Sequence, residues 1–271
     1  MYTASFRYVR PKTLTEAEAA FDAGSDAKYL AGGQTLIPTM KQRLAAPAEL
    51  IDLARIPSLA FIRSAGAVLV IGAGTCHAEV ATSETVRTNI PALVHLAGLI
   101  GDPAVRNRGT LGGSIANNDP AADYPAALVA LDATVSTTRR TIAADDFFTG
   151  MFATALEGSE IVTEIAFPVP LRAAYSKFRN PASRYAMVGV FVAETRAGTR
   201  VVVTGAGACV FRVAEMESAL ARNFTPEAVA GIVIPSEGLN SDLHGSAEYR
   251  AHLVSVMAKR AVAAAIGTPH G

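Results

Sequence analysis

The sequence predicts a fold of mixed helices and strands in two parts that meet near Pro170. Half of the 271 residues are hydrophobic and 18% are charged, so the chain can bury one large core or two modest cores. Segments with apolar residues at helical spacing alternate with short aliphatic runs that are typical of strands. Pro168 and Pro170 interrupt this pattern, and we therefore place a domain boundary near them.

Local patterns predict the individual elements. Thr13 and Glu16 stand three residues apart, as in a capping box, and apolar residues at helical spacing follow them. Thr35 is expected to cap the next helix, which Pro38 interrupts early. The predicted helices cover residues 13–21, 35–41, 91–99 and 124–131, with others near Ala214 and over 249–265. The predicted strands cover residues 29–31, 50–53, 68–71, 133–138 and 161–167, with others near Tyr175, Val188 and Val201.

Residues 100–123 have little periodicity of either kind. This segment, IGDPAVRNRGTLGGSIANNDPAAD, contains several glycines and two prolines. It predicts a long, ordered loop, and long irregular loops inside compact domains are usually functional.

Two glycine-containing segments suggest phosphate binding. Gly32 and Gly33 end a predicted strand just before a helix, where successive N–H groups can surround an anion. Taken alone, however, such a pair is more often an ordinary strand-to-helix turn. Gly112 and Gly113, flanked by Thr110 and Ser114 and preceded by two arginines, offer similar chemistry. Two such segments suggest a pyrophosphate.

Short polar side chains follow the second segment at once. Asn117, Asn118, Asp119 and Asp123 could bind sugar hydroxyls or could satisfy the loop's own backbone, and the sequence leaves both possibilities open.

Composition argues against several function classes. Lys plus Arg and Asp plus Glu both number 24, so no net positive charge attracts nucleic acid. Two cysteines are too few for an iron–sulfur cluster or a tetrathiolate metal site. Cys76 and His77 are adjacent but are better explained as packed side chains than as a nucleophilic pair. No apolar run reaches the length of a membrane span or of a signal peptide, and we expect a cytoplasmic protein.

Four segments carry a resemblance to a known family. Residues 29–41, 100–125, 177–190 and 242–253 resemble the flavin-binding subunits and domains of the molybdenum hydroxylases, a family that includes carbon monoxide dehydrogenase and xanthine dehydrogenase. The similarity covers essentially the whole chain. It implies an α+β fold of the vanillyl-alcohol-oxidase/p-cresol-methylhydroxylase type, with FAD between two α+β subdomains, about 1–57 and 58–170. A C-terminal α/β domain, 171–271, completes the implied fold.

The resemblance also implies the residues that contact noncovalently bound FAD. Those near the pyrophosphate are expected in both glycine segments, Asp123 would accept from a cofactor hydroxyl or amine, and Ile100, Val162 and Lys177 would lie near the flavin. A fixed cation such as Lys177 can stabilise the negative charge that flavin reduction leaves near N1 and the C2 carbonyl. The full implied set is Tyr29, Leu30, Ala31, Gly32, Gly33, Gln34, Thr35, Leu36, Ile100, Thr110, Leu111, Gly112, Gly113, Ser114, Asn117, Asp123, Val162 and Lys177.

The implied role is that of an electron relay. A large subunit with molybdopterin would oxidise the substrate, and a small subunit with [2Fe–2S] clusters would conduct electrons to this FAD and on to an external acceptor. A dimer of such heterotrimers is expected, with no catalytic residue and no metal in this chain. Two alternatives remain: a self-contained flavin oxidase or dehydrogenase, and a nucleotide-binding regulatory or assembly protein without redox turnover.

Overall fold

The structure, a computed structural model, describes residues 2–267 and combines four β-sheets with α-helices of four to twenty residues. The strands are β1 (Arg7–Val9), β2 (Ala27–Leu30), β3 (Glu49–Asp52), β4 (Ile62–Ala65), β5 (Val68–Gly72), β6 (Thr134–Thr137), β7 (Thr141–Ala143), β8 (Phe148–Gly150), β9 (Ala153–Thr154), β10 (Val162–Pro168), β11 (Arg172–Arg179), β12 (Ala186–Thr195), β13 (Gly198–Thr204) and β14 (Phe211–Arg212). The α-helices are α1 (Leu14–Ala23), α2 (Leu36–Lys41), α3 (His77–Thr82), α4 (Glu84–Asn89), α5 (Pro91–Gly98), α6 (Pro103–Arg106), α7 (Leu111–Asn117), α8 (Tyr124–Ala130), α9 (Ala144–Phe147), α10 (Ala214–Arg222), α11 (Pro226–Ala230) and α12 (Ala247–Ile266).

The sheets follow one another along the chain. The first is parallel, with strand order β1-β3-β2. The second is antiparallel, with order β4-β5-β10-β6-β7, and the third is antiparallel, with order β11-β12-β13-β14. Strands β8 and β9 form a separate hairpin. Each sheet is therefore built from one continuous stretch of sequence together with the helices inserted in it.

The third sheet separates two hydrophobic cores. Because side chains alternate along a strand, Val188 and Val190 of β12 face one core, which α12 covers. Phe191 and Ala193 of the same strand face the other core, which includes α5 and α8. Burial on both faces explains the nearly continuous apolar sequence of β12. The sheet thereby connects the C-terminal part of the chain to the segments around residues 100–130.

Helix α1 begins as the capping pattern predicts, with one difference. The Thr13 hydroxyl accepts from the backbone N–H of Glu16, but the Glu16 carboxylate accepts from the N–H of Lys12 rather than from that of Thr13. At α2 the predicted cap is wrong, because the Thr35 side chain makes no capping bond and its residue has helical dihedrals.

The prediction of a long loop over residues 100–123 is wrong. This segment contains α6 and α7, whose N-caps are Asp102 and Thr110. Each of these two side chains accepts from a backbone N–H three residues later. Both helices are too short for apolar periodicity to develop, so capping residues are their main sequence signal. Within residues 2–267, no helix is both long and apolar enough to cross a bilayer.

Candidate cofactor site

The two glycine segments lie directly against each other. A Cβ atom on Gly32 would stand 2.1 Å from the Arg108 carbonyl oxygen, so only glycine permits this approach. Gly33 has φ +71°, a left-handed conformation that side chains disfavour. Gly113 faces the same place, because its Cβ would lie 3.4 Å from that of Ala31. Residues that are 80 positions apart thus form one glycine-walled surface.

The first segment presents a run of unengaged donors. Residues 32–36 run from the connection after β2 to the first residue of α2. None of their backbone N–H groups donates a hydrogen bond to another residue in the described part of the chain. Amide groups left without acceptors normally bind water or a ligand, since an unpaired buried N–H is costly. A run of neighbouring N–H donors beside the N-terminus of a helix suits a phosphate oxygen.

The second segment has already used most of its backbone donors. The N–H groups of Leu111 and Gly112 donate to the carbonyls of Thr75 and Ala73, and that of Gly113 donates to the Thr110 hydroxyl. These bonds fix α7 against β5 and its turn. The second segment can therefore contact a ligand through its glycine surface and its side chains, while the first supplies free N–H groups.

The polar side chains near α7 divide into two groups. Asn118 donates to the carbonyls of Gly150 and Ala153, and Asp119 accepts from the N–H of Ala121, so both satisfy the backbone. The side chains of Ser114 and Asn117 make no hydrogen bond to any residue of the described range. Asn118 and Asp119 therefore satisfy the backbone of their own region, whereas Asn117 is free to bind a ligand.

Asp123 and Lys177 form a buried ion pair. The Lys177 Nζ lies 2.9 Å from Asp123 Oδ2, and the two side chains are 2% and 5% exposed. Lys177 also donates to the Leu99 carbonyl at 3.3 Å. Its ammonium group has a third N–H, which bonds no residue within 2–267. This lysine is therefore not a solvated surface residue, and it keeps one donor beside Leu99 and Ile100.

Tyr175 completes this cluster by donating to Asp123 Oδ1. Burial raises the pKa of the Asp123 carboxyl above its ordinary value of 3.8, while the Lys177 charge and both hydrogen bonds oppose the rise. Burial and the negative charge of Asp123 raise the pKa of the Tyr175 hydroxyl well above 10.0, so it remains a donor. Both Asp123 oxygens accept from protein donors, so the main role of this carboxylate is to hold Lys177 and Tyr175 in place.

The other predicted residues occupy different positions around this site. Tyr29 and Leu30 belong to β2, and the Tyr29 hydroxyl donates to the Ser159 carbonyl while its ring stacks on Phe21. Leu36 is the first residue of α2. The Ile100 carbonyl accepts from Arg106, so the Arg106 guanidinium binds the backbone of its own segment. Val162 is buried at the start of β10, beside α7.

Two further residues were not found by sequence patterns. Tyr185 is 45% exposed, yet burial and the carboxylates of Asp119 and Asp123 raise the pKa of its hydroxyl, and a hydrogen bond with Thr35 lowers it. His77 is buried under Gly109, and burial together with Arg106 lowers its pKa to about 4. An exposed aromatic residue in a turn and a single histidine give no distinguishing pattern.

Together these features define a binding protein for a phosphate-containing nucleotide cofactor. Free N–H groups stand at a helix N-terminus and a glycine surface permits close backbone approach. A buried cation, Lys177, and the free polar side chains of Ser114 and Asn117 complete the set. This set fits FAD, whose pyrophosphate needs donors and whose ring system gains from a fixed cation.

Comparison with known proteins gives the family. Residues 4–170 match the model of the FAD binding domain in molybdopterin dehydrogenase, and the chain belongs to this family. It is 39% identical to the carbon monoxide dehydrogenase medium chain of Hydrogenophaga pseudoflava, over 98% of both chains. It is 35% identical to the nicotine 6-hydroxylase medium subunit of Paenarthrobacter nicotinovorans, over 97% of this chain and 98% of that one.

A solved structure confirms the predicted fold class. Carbon monoxide dehydrogenase from Hydrogenophaga pseudoflava, in a form that lacks the Mo-pyranopterin moiety of its cofactor, superimposes with a TM-score of 0.90 and 38% identity. The match covers 98% of this chain and 99% of that chain. The α+β flavoprotein fold, the FAD cofactor and the assignment to an oxidoreductase are thus confirmed.

Proposed function

We propose that this chain is the electron-transfer subunit of a heteromeric molybdenum hydroxylase in the cytoplasm. Electrons arrive at its noncovalently bound FAD from [2Fe–2S] clusters on a small partner subunit and leave to an external acceptor. A large partner subunit, which carries molybdopterin, oxidises the substrate. Two such heterotrimers form the complete enzyme.

The run of unengaged N–H groups over residues 32–36 carries this proposal. These donors lie in the segment that packs against the second segment, so backbone N–H groups could bind a diphosphate placed beside them. Ser114 and Asn117 add free side-chain donors beside it. The negative charge of the Asp123 carboxylate is balanced by its ion pair with Lys177.

When bound, FAD supplies reversible two-electron transfer. The contribution of the chain is to bind it, to exclude water and to hold a positive charge at Lys177 Nζ, where the third N–H is available to a cofactor acceptor. The full set of proposed FAD contacts is the eighteen-residue set that the resemblance implied.

The comparisons support a relay rather than a self-contained enzyme. Relatives of nearly the same length are named for different substrates, carbon monoxide and nicotine, which indicates that the substrate is selected outside this chain. Both oxygens of Asp123, the buried carboxylate of the site, are also paired with protein donors. Asp123 therefore lacks the free oxygen that a general base needs.

The domain limits near residues 57 and 170 are part of this proposal. The three main sheets support them, since their strands occupy residues 7–52, 62–168 and 172–212. Limited proteolysis with mass mapping of the products tests where the connections lie.

Reconstitution tests the proposed function. The purified chain should bind FAD alone, and its flavin should be reduced by substrate only after the small and large partners are added. Chain with the Gly113→Val substitution, which places a branched side chain against Thr110, is the negative control for binding. Direct reduction of the flavin by an organic substrate without partners would instead establish a self-contained oxidoreductase. Failure of the folded wild-type chain to bind FAD would refute the proposal altogether.

A further inference from the structure

Tyr175 stands out as a polar group whose position is completely determined by its surroundings. It lies in the interior of β11, is 3% exposed, and directs its hydroxyl to Asp123 Oδ1. Lys177 follows two residues later and binds the other carboxylate oxygen at 2.9 Å. Since side chains two apart on a strand share a face, one strand delivers both donors to one carboxylate. The result is a buried chain of hydrogen bonds from Tyr175 through Asp123 to Lys177.

Gly189 provides the space that this arrangement needs. It lies directly opposite Lys177 in the β11–β12 pair. A Cβ atom at Gly189 would stand 2.2 Å from the Tyr175 hydroxyl oxygen and 2.9 Å from the Thr204 methyl carbon. Gly189 has no unusual positive φ that would explain glycine on conformational grounds. The glycine is therefore explained by the room it leaves for the tyrosine hydroxyl.

From these contacts we propose that Tyr175 is a positioning residue that sets the strength of the positive charge that Lys177 presents to the flavin. This inference rests on the proposed function, because it requires FAD beside Lys177. The hydroxyl draws negative charge toward Oδ1 and fixes the rotation of the carboxylate. Oδ2 is consequently a weaker acceptor, and the Lys177 ammonium is less fully neutralised.

Removing the hydroxyl has a predictable direction. In Tyr175→Phe the carboxylate loses its second donor and concentrates its charge on Lys177. The ammonium then stabilises reduced flavin less well, so reduced FAD should bind more weakly relative to oxidised FAD. A tenfold change in the ratio of these two affinities corresponds to a flavin potential lower by about 30 mV, since two electrons are transferred. Lys177→Gln, which keeps a donor but removes the charge, should change the ratio in the same direction.

Two more variants separate positioning from general packing. Gly189→Ala displaces the same hydroxyl from the opposite strand and should reproduce the effect of Tyr175→Phe. Tyr124→Phe is the matched control, because Tyr124 is also fully buried and is adjacent to Asp123, yet its hydroxyl makes no hydrogen bond. That control should leave the flavin potential unchanged.

The experiment is a redox titration of the FAD-loaded full chain for all variants, together with a double-mutant cycle. Tyr175→Phe should lower the flavin potential in the wild-type background and change it much less in the Lys177→Gln background, because the effect acts through that charge. An unchanged potential in Tyr175→Phe, an additive double variant, or an equal shift in Tyr124→Phe would overturn the proposal. Absence of FAD binding by the wild-type chain would instead overturn the proposed function itself.

Discussion

The close approach of Gly32 to Arg108 predicts the clearest effect of a single substitution on cofactor binding. In Gly32→Ala the new methyl group would lie 2.1 Å from a backbone oxygen, where contacts shorter than 3.0 Å are essentially never seen. The two glycine segments must therefore separate by about 1 Å, because a backbone carbonyl cannot rotate away as a flexible side chain can.

The cost of this substitution should appear in binding. Without FAD the segments can separate and release most of the strain, but a bound pyrophosphate requires both segments in place. Overpacking strain of about 1–3 kcal/mol then returns in the complex, which raises the Kd for FAD by about tenfold to a hundredfold. The free energy of unfolding of the apoprotein should therefore fall by less than the free energy of FAD binding does.

The assay is titration of apoprotein with FAD, followed by flavin fluorescence, with thermal unfolding of the apoprotein in parallel. Gly98→Ala is the matched control, since its Cβ would meet no atom within 4 Å and its position ends helix α5. It should leave the Kd unchanged. Equal FAD affinity in Gly32→Ala and wild type would refute the inferred contact between a cofactor and the paired segments.

Three further predictions follow from other contacts. Lys177→Met should lower the free energy of unfolding in urea by about 3–5 kcal/mol, because Asp123 is left as a buried unpaired charge. Adding Asp123→Asn should recover most of this loss. Gly113→Val should abolish FAD retention, because its Cβ would stand 2.8 Å from the Thr110 hydroxyl oxygen and the side chain would cover the glycine surface. Normal flavin content after gel filtration would contradict this prediction. The pKa of His77 is lowered from 6.5 to about 4, so its stabilising effect is complete above pH 6.5 and is lost as the pH falls toward 4. The free energy of unfolding should fall by up to about 3 kcal/mol more over this range in wild type than in His77→Gln.

Local sequence patterns predicted most of the regular elements. The helix expected over residues 91–99 is Pro91–Gly98, and that over 124–131 is Tyr124–Ala130, because buried apolar residues and a proline near the start mark both. The two helices within residues 100–123 were missed because four and seven residues are too few to show a period. Their capping residues Asp102 and Thr110 were visible, and could have predicted where they start.

The site was only partly accessible from sequence. Paired glycines indicated close backbone approach, but which partner each one approaches depends on the tertiary fold, as the contact of Gly32 with Arg108 shows. The same limit applies to the ion pair, since 54 positions separate Asp123 from Lys177. Strand alternation could have placed Tyr175 on the face of Lys177. Its hydrogen bond to Asp123, and the need for Gly189, depend on cross-strand register and helix packing that no local pattern specifies.

The ion pair of Asp123 also has a consequence for how the protein matures. Both of its partners, Lys177 and Tyr175, lie on β11, more than fifty residues downstream, whereas both glycine segments precede it. A ribosome releases the N-terminal part of a chain first. Both glycine segments of the nascent chain are therefore synthesised while Asp123 still lacks a counter-charge. The Asp123 carboxylate can be buried away from water only after β11 has left the ribosome. We therefore expect FAD to bind stably only after β11 has been translated, beyond the midpoint of the chain.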